Sequence, residues 1–405
     1  MCHSRIISVA YFAKLTLLLC CAAELPAETP RAPESVFREH QRAVMALAFS
    51  PDGLRLASGG DDKRVVVHEL QPQPEDPATR ERRSRLLLEL DDSHYETRQA
   101  AYAELSAMGP ESVSDLEHCL ETTRSAEVRM RVRQLLMRHR LPSGVGHEGT
   151  IRDLAFSPDG KFVASAGHDD SVFLWQTLTV KPVQVLRAHS DGIWSVCYSQ
   201  DGQSLMTGGG DSRINVWDTN TYQRRNSLMR HQSNVQSLAL SHDGKLFASA
   251  GGFDESVVVW ATASGAVLRD LKPEVGAVLS VAFHPTDSSL VIAGYSDRLV
   301  IIDVSTWEVT STMRLPFAVI RSLSFSSDGH WLAAAGRSNA VTIVDWPQRL
   351  IAEQLGGHTE PVHAACFRAS DNLLATGDDA GVVRLWALPQ HFVQHDSQNG
   401  QTVVK

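Results

Sequence analysis

The chain carries few of the marks that catalysis leaves in a sequence. It has no Gly-rich phosphate loop, dinucleotide fingerprint, His-Glu zinc-protease motif, Cys-x-x-Cys pair or haem-attachment motif. Only six cysteines occur among 405 residues, three of them within the first 21. That excludes a disulfide framework, which a core of this size does not need. Basic charge is not in excess: the net charge of −9 argues against a general nucleic-acid binder. Past the first 27 residues no apolar run is long enough to span a bilayer. With 43% hydrophobic and 21% charged residues, the composition is that of an ordinary globular protein.

What the chain does have is a repeat. Phe49, Phe156, Tyr198, Leu240, Phe283, Phe325 and Phe367 each open a similar strand-turn cassette, and the last five intervals are 42, 42, 43, 42 and 42 residues. The first interval, 107 residues, is one period of 42 with 65 residues added. A period near 42 matches one four-stranded propeller blade, and seven of them need about 300 residues. In the second cassette Ile151–Phe156 is followed by Ser157-Pro158-Asp159-Gly160, then Phe162–Ser165, a turn through Gly167-His168-Asp169-Asp170, and Val172–Trp175. Ser-Pro-Asp-Gly has a turn mechanism: Pro presets φ, Asp bonds the local backbone and Gly accepts positive φ. Each cassette gives three short strands, with the fourth in the linker after the Trp.

These residues resemble the WD-repeat (G-protein β-type) propeller family over roughly 33–70 and 146–389. The resemblance implies an all-β, seven-bladed propeller with a hydrogen-bonded set of His, Ser or Thr, Asp and Trp in each blade. By offset from the anchors, the sets are His147, Ser165, Asp169 and Trp175; His189, Thr207, Asp211 and Trp217; and His231, Ser249, Asp254 and Trp260. The first cassette keeps His40, Ser58 and Asp62 but has His68 in place of Trp. The seventh keeps His358, Thr376 and Trp386 but offers Ala380 at the Asp offset. The fifth and sixth replace the set with Glu274, Ile292, Ser296, Ile302 and with Pro316, Ala334, Ser338, Val344. A half-satisfied buried network costs more than one removed together, so whole and absent sets are both expected.

His, Ser and Asp also suggest hydrolysis, but a hydrolase needs one such constellation beside an open pocket. Near-copies at blade spacing read as structure. The paired carboxylates Asp61-Asp62, Asp169-Asp170 and Asp378-Asp379 fall in turns and lack calcium-loop spacing. No catalytic residue, metal or cofactor is expected.

Residues 1–27 read as a secretory signal peptide: a weakly basic start, a short apolar stretch over Leu15–Ala23, and small residues near Cys21, Ala23 and Ala27. An uncleaved anchor or a spurious start remain alternatives, and Leu19 or Cys20 fits poorly before a lipidated cysteine. Cleavage would leave Cys119, Cys197 and Cys366. The latter two sit on equivalent strands of distant blades, too far apart to pair.

The added residues, assigned to 71–145, open with a Pro-rich linker over Gln71–Pro77. Three helices are expected next: one capped at Ser93, one over Val113, Leu116 and Leu120, and one capped at Ser125 with a Val128, Val132, Leu135, Leu136 stripe. The block resembles a single HEAT-type unit. Arg124, Arg129, Arg131, Arg133, Arg138 and Arg140 crowd its last helix, as a solvated face or a dock for an acidic partner. Residues 390–405 are a polar tail.

In the family, the turn before the first strand and the turn between the second and third share one face, the usual partner-binding top. The offset rule puts Met45, Arg152, Trp194, Gln236, Leu279, Arg321 and His363 around its inner ring. Phe253, Tyr295 and Arg337 belong to the neighbouring turns. Trp194, Phe253, Leu279, Tyr295, Arg321 and Arg337 are the candidate protein-binding residues, types that dominate interface energetics. The reading is a non-enzymatic, exported interaction scaffold for a protein or peptide partner. It involves no nucleic acid and no membrane span after cleavage, and acts as a monomer or part of a complex. The alternatives are a ligand-binding or catalytic propeller using the central channel, or a cytoplasmic regulatory scaffold.

Overall fold

The turn after each anchor shows why the cassette repeats. In the second blade the Ser157 hydroxyl donates to Asp159 at 2.7 Å and accepts the Phe162 N–H at 3.0 Å, while the Gly160 N–H reaches the Ser157 carbonyl at 2.8 Å. Gly160 sits at φ +70°, where a side chain is strained. Ser50, Ser199, Ser241 and Ser326 make the same hydroxyl-to-Asp bond in four other blades.

The computed structural model describes residues 31–70, 77–108, 113–138, 143–187 and 189–389. In them, seven antiparallel four-stranded sheets form a seven-bladed propeller with four helices inserted in the first blade. The second blade is typical: Ile151–Phe156 innermost, then Phe162–Gly167, Ser171–Gln176 and Lys181–Arg187 outermost. The two middle strands are almost wholly buried and the outermost mostly exposed. Core packing lies between blades rather than within them: Ala57, Val65 and Val67 of blade one meet Ile151, Leu154 and Val163 of blade two. A blade therefore needs both neighbours. The innermost strand Val44–Phe49 packs against those of blade two and blade seven, which closes the ring. The outer strand of blade seven is Ser35–Phe37, with Val36 opposite Arg384 and Phe37 opposite Val383. An early segment thus covers an edge that an open ring would expose.

Three features depart from the sequence expectation. Ser143–Val145, placed in the insertion, is the outer strand of blade one, with Arg64 opposite Val145. The insertion holds four helices: α1 (Pro77–Glu89), α2 (Tyr95–Ala107), α3 (Val113–Thr122) and α4 (Ala126–Arg138). α1 was not expected, because Pro77 read as the end of a linker when it is the first residue of a helix, where its missing N–H costs nothing. The capping box at Ser93 does not form: His94 occupies the N-cap with no side-chain cap, and Asp92 accepts the His94 N–H at 2.7 Å. Ser125 does cap α4, accepting the Val128 N–H at 3.4 Å. Leu86, Leu90, Ala101, Leu105, Leu116, Val128, Val132 and Leu135 form the block's own core. Arg131 is buried against Glu127 (2.8 Å) and the Leu90 carbonyl, whereas Arg124 and Arg133 are exposed.

Cys119, Cys197 and Cys366 are free thiols. The expected leader (1–27), Arg140 and the tail (390–405) lie outside the described residues. Among the described residues no helix is long and apolar enough to cross a membrane.

Candidate functional site

The recurring polar sets are geometrically complete. His147 Nδ1 lies 3.0 Å from Asp169, its Nε2 lies 2.7 Å from Ser165 Oγ, and the Trp175 indole donates to Ser165 Oγ at 2.7 Å. His189, Thr207, Asp211 and Trp217 repeat this at 2.9, 2.8 and 3.0 Å. His231, Asp254, Ser249 and Trp260 do so at 3.0, 2.7 and 2.8 Å. The donors run one way. Indole N–H can only donate and carboxylate can only accept, so the hydroxyl proton points to His Nε2 and Nδ1–H points to Asp. Asp169 also takes the Glu148 N–H at 2.6 Å, tying the Gly-His turn to the turn between the middle strands. Burial works against its charge, but the His147 bond prevails and holds its carboxyl below the usual range.

Blades one and seven correct the offset reading. His68 replaces the indole: its Nε2 is 2.9 Å from Ser58 Oγ, and Ser58 reaches His40, which reaches Asp62 at 2.9 Å. His68 is fully buried, which pushes its pKa down to about 3, so it serves as a neutral N–H donor. In blade seven the acid is not missing at Ala380. Asp378, the last residue of the strand Leu373–Asp378 and the counterpart of Gly167 in blade two, meets His358 Nδ1 at 2.7 Å. Arg384 lies 3.3 Å from the same carboxylate, and Trp386 donates to Thr376 at 2.8 Å.

In blades five and six the Ser/Thr and Trp positions are apolar: Ile292, Ile302, Ala334 and Val344 are all buried. A different clamp joins the two. His284 stands where other blades have the turn Ser. Its Nδ1 accepts the Thr286 and Asp287 N–H groups (3.2 and 2.8 Å), which leaves Nε2–H to donate to the Gly329 carbonyl of blade six at 2.9 Å. The Trp346 indole returns to Asp287 at 2.9 Å and its ring stacks on His284. His284-Pro285-Thr286-Asp287 at the Ser-Pro-Asp-Gly position was the signal that could have revealed this.

Ser165, Thr207 and Ser249 are wholly buried, each hydroxyl oxygen already accepts an indole N–H, and each lies within 2.8 Å of a His Nε2. These triads have no room for a substrate carbonyl. Among the described residues there is no cluster of three or more potential metal-ligating side chains.

The surface that remains open is the channel and the face where the inner strands begin. The channel cavity, about 720 Å³, is lined by residues of all seven inner strands, including Met45, Arg152, Trp194, Gln236, Leu279, Arg321 and His363. A belt of hydrogen bonds holds its wall: Val196 N–H to Asp153 (2.8 Å), Leu238 N–H to Ser195 (3.1 Å), Leu323 N–H to Ser280 (3.2 Å) and Ala365 N–H to Ser322 (3.1 Å). At the mouth the Arg152 guanidinium lies 4.7 Å from the Trp194 ring centroid, and the His168 ring meets Trp194 edge-on at 5.4 Å. His363 is held by Asp379 at 2.7 Å.

Register brings the remaining candidates to the same end. Val278 pairs with Gly294, and the Tyr295 N–H bonds the Ala277 carbonyl. The Val278 N–H bonds the Gly252 carbonyl, so Phe253 arrives beside Tyr295 with ring centroids 6.2 Å apart. Both are exposed, Phe253 at 69% and Tyr295 at 49%. Arg321 follows Ile320, which pairs with Gly336, and Arg337 follows Gly336 and is exposed. Leu279 differs from the other candidates: at 9% exposure it belongs to the channel wall.

A family model described as "WD domain, G-beta repeat" matches residues 31–69, 139–176, 180–218, 222–261, 309–345 and 349–387, more than half of the chain. The stretch it passes over contains the three inner strands of blade five, where the polar set is replaced. The chain is similar to the transcriptional corepressor LEUNIG_HOMOLOG of Arabidopsis thaliana, 26% identical over 250 residues, which are 60% of this chain and 25% of that protein. It is 30% identical over 134 residues to U3 small nucleolar RNA-associated protein 15 of Saccharomyces cerevisiae, 33% of this chain and 26% of that one. To the target of rapamycin complex subunit wat1 of Schizosaccharomyces pombe it is 25% identical over 147 residues, 36% of this chain and 46% of that one. The chain thus spans about a quarter of the first two relatives and under half of the third.

Proposed function

The chain belongs to the WD domain, G-beta repeat family, and on that premise we propose that it is a non-enzymatic interaction platform binding a protein or peptide partner at the channel-mouth face across blades three to six. The observation that carries this reading is the exposed Phe253–Tyr295 pair, at the same end of the ring as Arg321 and Arg337. Exposed aromatics with arginine suit a protein surface, and every hydroxyl that could act as a nucleophile in the polar sets is saturated. The names of the relatives, a corepressor, an RNA-associated protein and a complex subunit, accord with a role in assemblies. The apolar leader supports export, which sequencing the mature N-terminus tests.

Crosslinking the native protein and identifying its partners by mass spectrometry provides the ligand for a direct test. Trp194→Ala and Phe253→Ala should weaken capture while leaving stability within about 1 kcal/mol of wild type. Capture indifferent to both but lost on deleting residues 78–140 would assign recognition to the helical block.

A further inference from the structure

We propose that the channel mouth holds a side-chain carboxylate of the bound partner, an Asp or Glu, between Arg152 of blade two and Arg321 of blade six. This rests on the reading of that face as the partner surface and adds the chemistry of what enters it. Arg152 and Arg321 share one offset on blades well separated around the ring, so both guanidinium-bearing side chains line the same cavity. Among the described residues neither forms an ion pair, and Arg152 Nε is buried without a partner. Arg152 is also fixed in place, because its guanidinium packs over the Trp194 ring. Loss of water and the nearby positive charge of Arg321 both work against its charge, with Asp61 partly opposing them. An anion between the two cations relieves that conflict and supplies the missing acceptors.

The surrounding charges select a single negative charge. Asp379 is engaged by His363, and the Asp153 carboxylate accepts the Ser195 hydroxyl and the Val196 and Leu154 N–H groups. These acids, with Asp61, offset the charge of the two arginines, so the mouth lacks the positive excess that a dianionic phosphate needs and suits a single carboxylate. Phe253 and Tyr295 then offer contact to an apolar residue of the same peptide.

The test is selection of phage-displayed random dodecapeptides on the full chain, followed by synthesis of the enriched peptides in acid, amide and phosphoserine forms. The expected result is enrichment of Asp or Glu, with the amide form binding about tenfold weaker or less tightly still. Arg321→Gln should lose the same factor, no longer distinguish acid from amide, and melt as wild type does. Arg152→Gln should act alike, and Arg321→Gln guards against loosening of Trp194 in that variant. Equal binding of acid and amide, acid discrimination that survives Arg321→Gln, or tighter binding of the phosphoserine form would each overturn the carboxylate site. If such peptides still depend on Phe253, the partner-surface reading stands without it. If Phe253→Ser and Trp194→Phe also change nothing, both readings fall together.

Discussion

Blades two and six have the same strands in the same order, yet they solve their interiors differently. Blade two buries His147, Ser165, Asp169 and Trp175 as one directional chain of hydrogen bonds. Blade six buries Ala334 and Val344 at the Ser and Trp positions and needs no partner for either. Blade five does the same with Ile292 and Ile302, and the two blades then share the His284–Gly329 and Trp346–Asp287 clamp. Where one member of a set changes but the rest stay, a substitute has been found: His68 donates in place of Trp, and Asp378 accepts from the strand end. Such a network is tolerable when whole or when gone. The intermediate condition, a buried donor or charge without its partner, is the expensive one.

The largest test of this contrast is Asp378→Ala. It leaves Arg384 and His358 buried without their carboxylate, and removing one partner of a buried pair costs about 3–5 kcal/mol. Ser338→Ala, at the Asp offset of blade six, should stay within about 0.5 kcal/mol. Equal shifts in urea midpoint would end the distinction between the two kinds of blade. Next in size, Trp217→Phe takes the indole donor from Thr207 and should cost about 1–3 kcal/mol. Thr207→Val combined with Trp217→Phe should cost less than the sum of the two, by about 0.5 kcal/mol or more, because the second change removes an already broken contact. Strict additivity would show that the set is not one network.

Much of this was legible from the chain. The 42-residue spacing of the anchors gave blade number and strand order, and the early segment before His40 could only complete the last blade. Offsets located the three full sets because His147 to Trp175 and His189 to Trp217 both span 28 residues, and one residue added near Phe253 makes the third span 29. The same rule missed Asp378, since it looked for the acid at the turn position, whereas Asp378 stands at the strand end, where blade two has Gly167, and a side chain there points at the His Nδ1. It marked His68 as a loss because residue type is visible and hydrogen-bond capacity in context is not. α1 was hidden by Pro77, a residue equally at home at the end of a linker and in the first turn of a helix. Leu279 and Trp194 share one offset, yet only packing decides how deeply each sits in the channel mouth.

Acid should separate the blades further. His68 binds a proton near pH 6.5 once unfolded but only near pH 3 when folded, because burial opposes its charge. Its contribution is therefore intact above about pH 6.5 and declines as pH falls toward 3. His231 and His358 shift in the same direction, also through burial. His68→Gln keeps an N–H donor for Ser58 and removes one titrating ring. Between pH 6.5 and 5 its unfolding free energy should fall less steeply than that of wild type, by about 1–2 kcal/mol across the interval. Parallel curves from chemical denaturation would mean that His68 is not held neutral in the fold.

The smallest effect, and one of opposite sign, is expected at Asp153. Blades three to six carry Ser195, Ser237, Ser280 and Ser322 at its position, and Ser195 accepts the next blade's N–H just as Asp153 does. Loss of water pushes the Asp153 carboxyl up to about 6 despite bonds from Val196, Ser195 and Leu154. The folded state thus binds this proton more readily than the unfolded chain, whose carboxyl titrates near 3.8. Above pH 6 the buried charge is a cost to the fold, and the cost fades as pH drops from 6 toward 4. Asp153→Ser removes the charge and keeps an acceptor for Val196. Its stability relative to wild type should be highest at pH 8 and decline by about 1 kcal/mol or less by pH 5. A difference that grew on acidification would mean that Asp153 is stabilised as an anion. The channel belt would then depend on charge at blade two where blades three to six carry a hydroxyl.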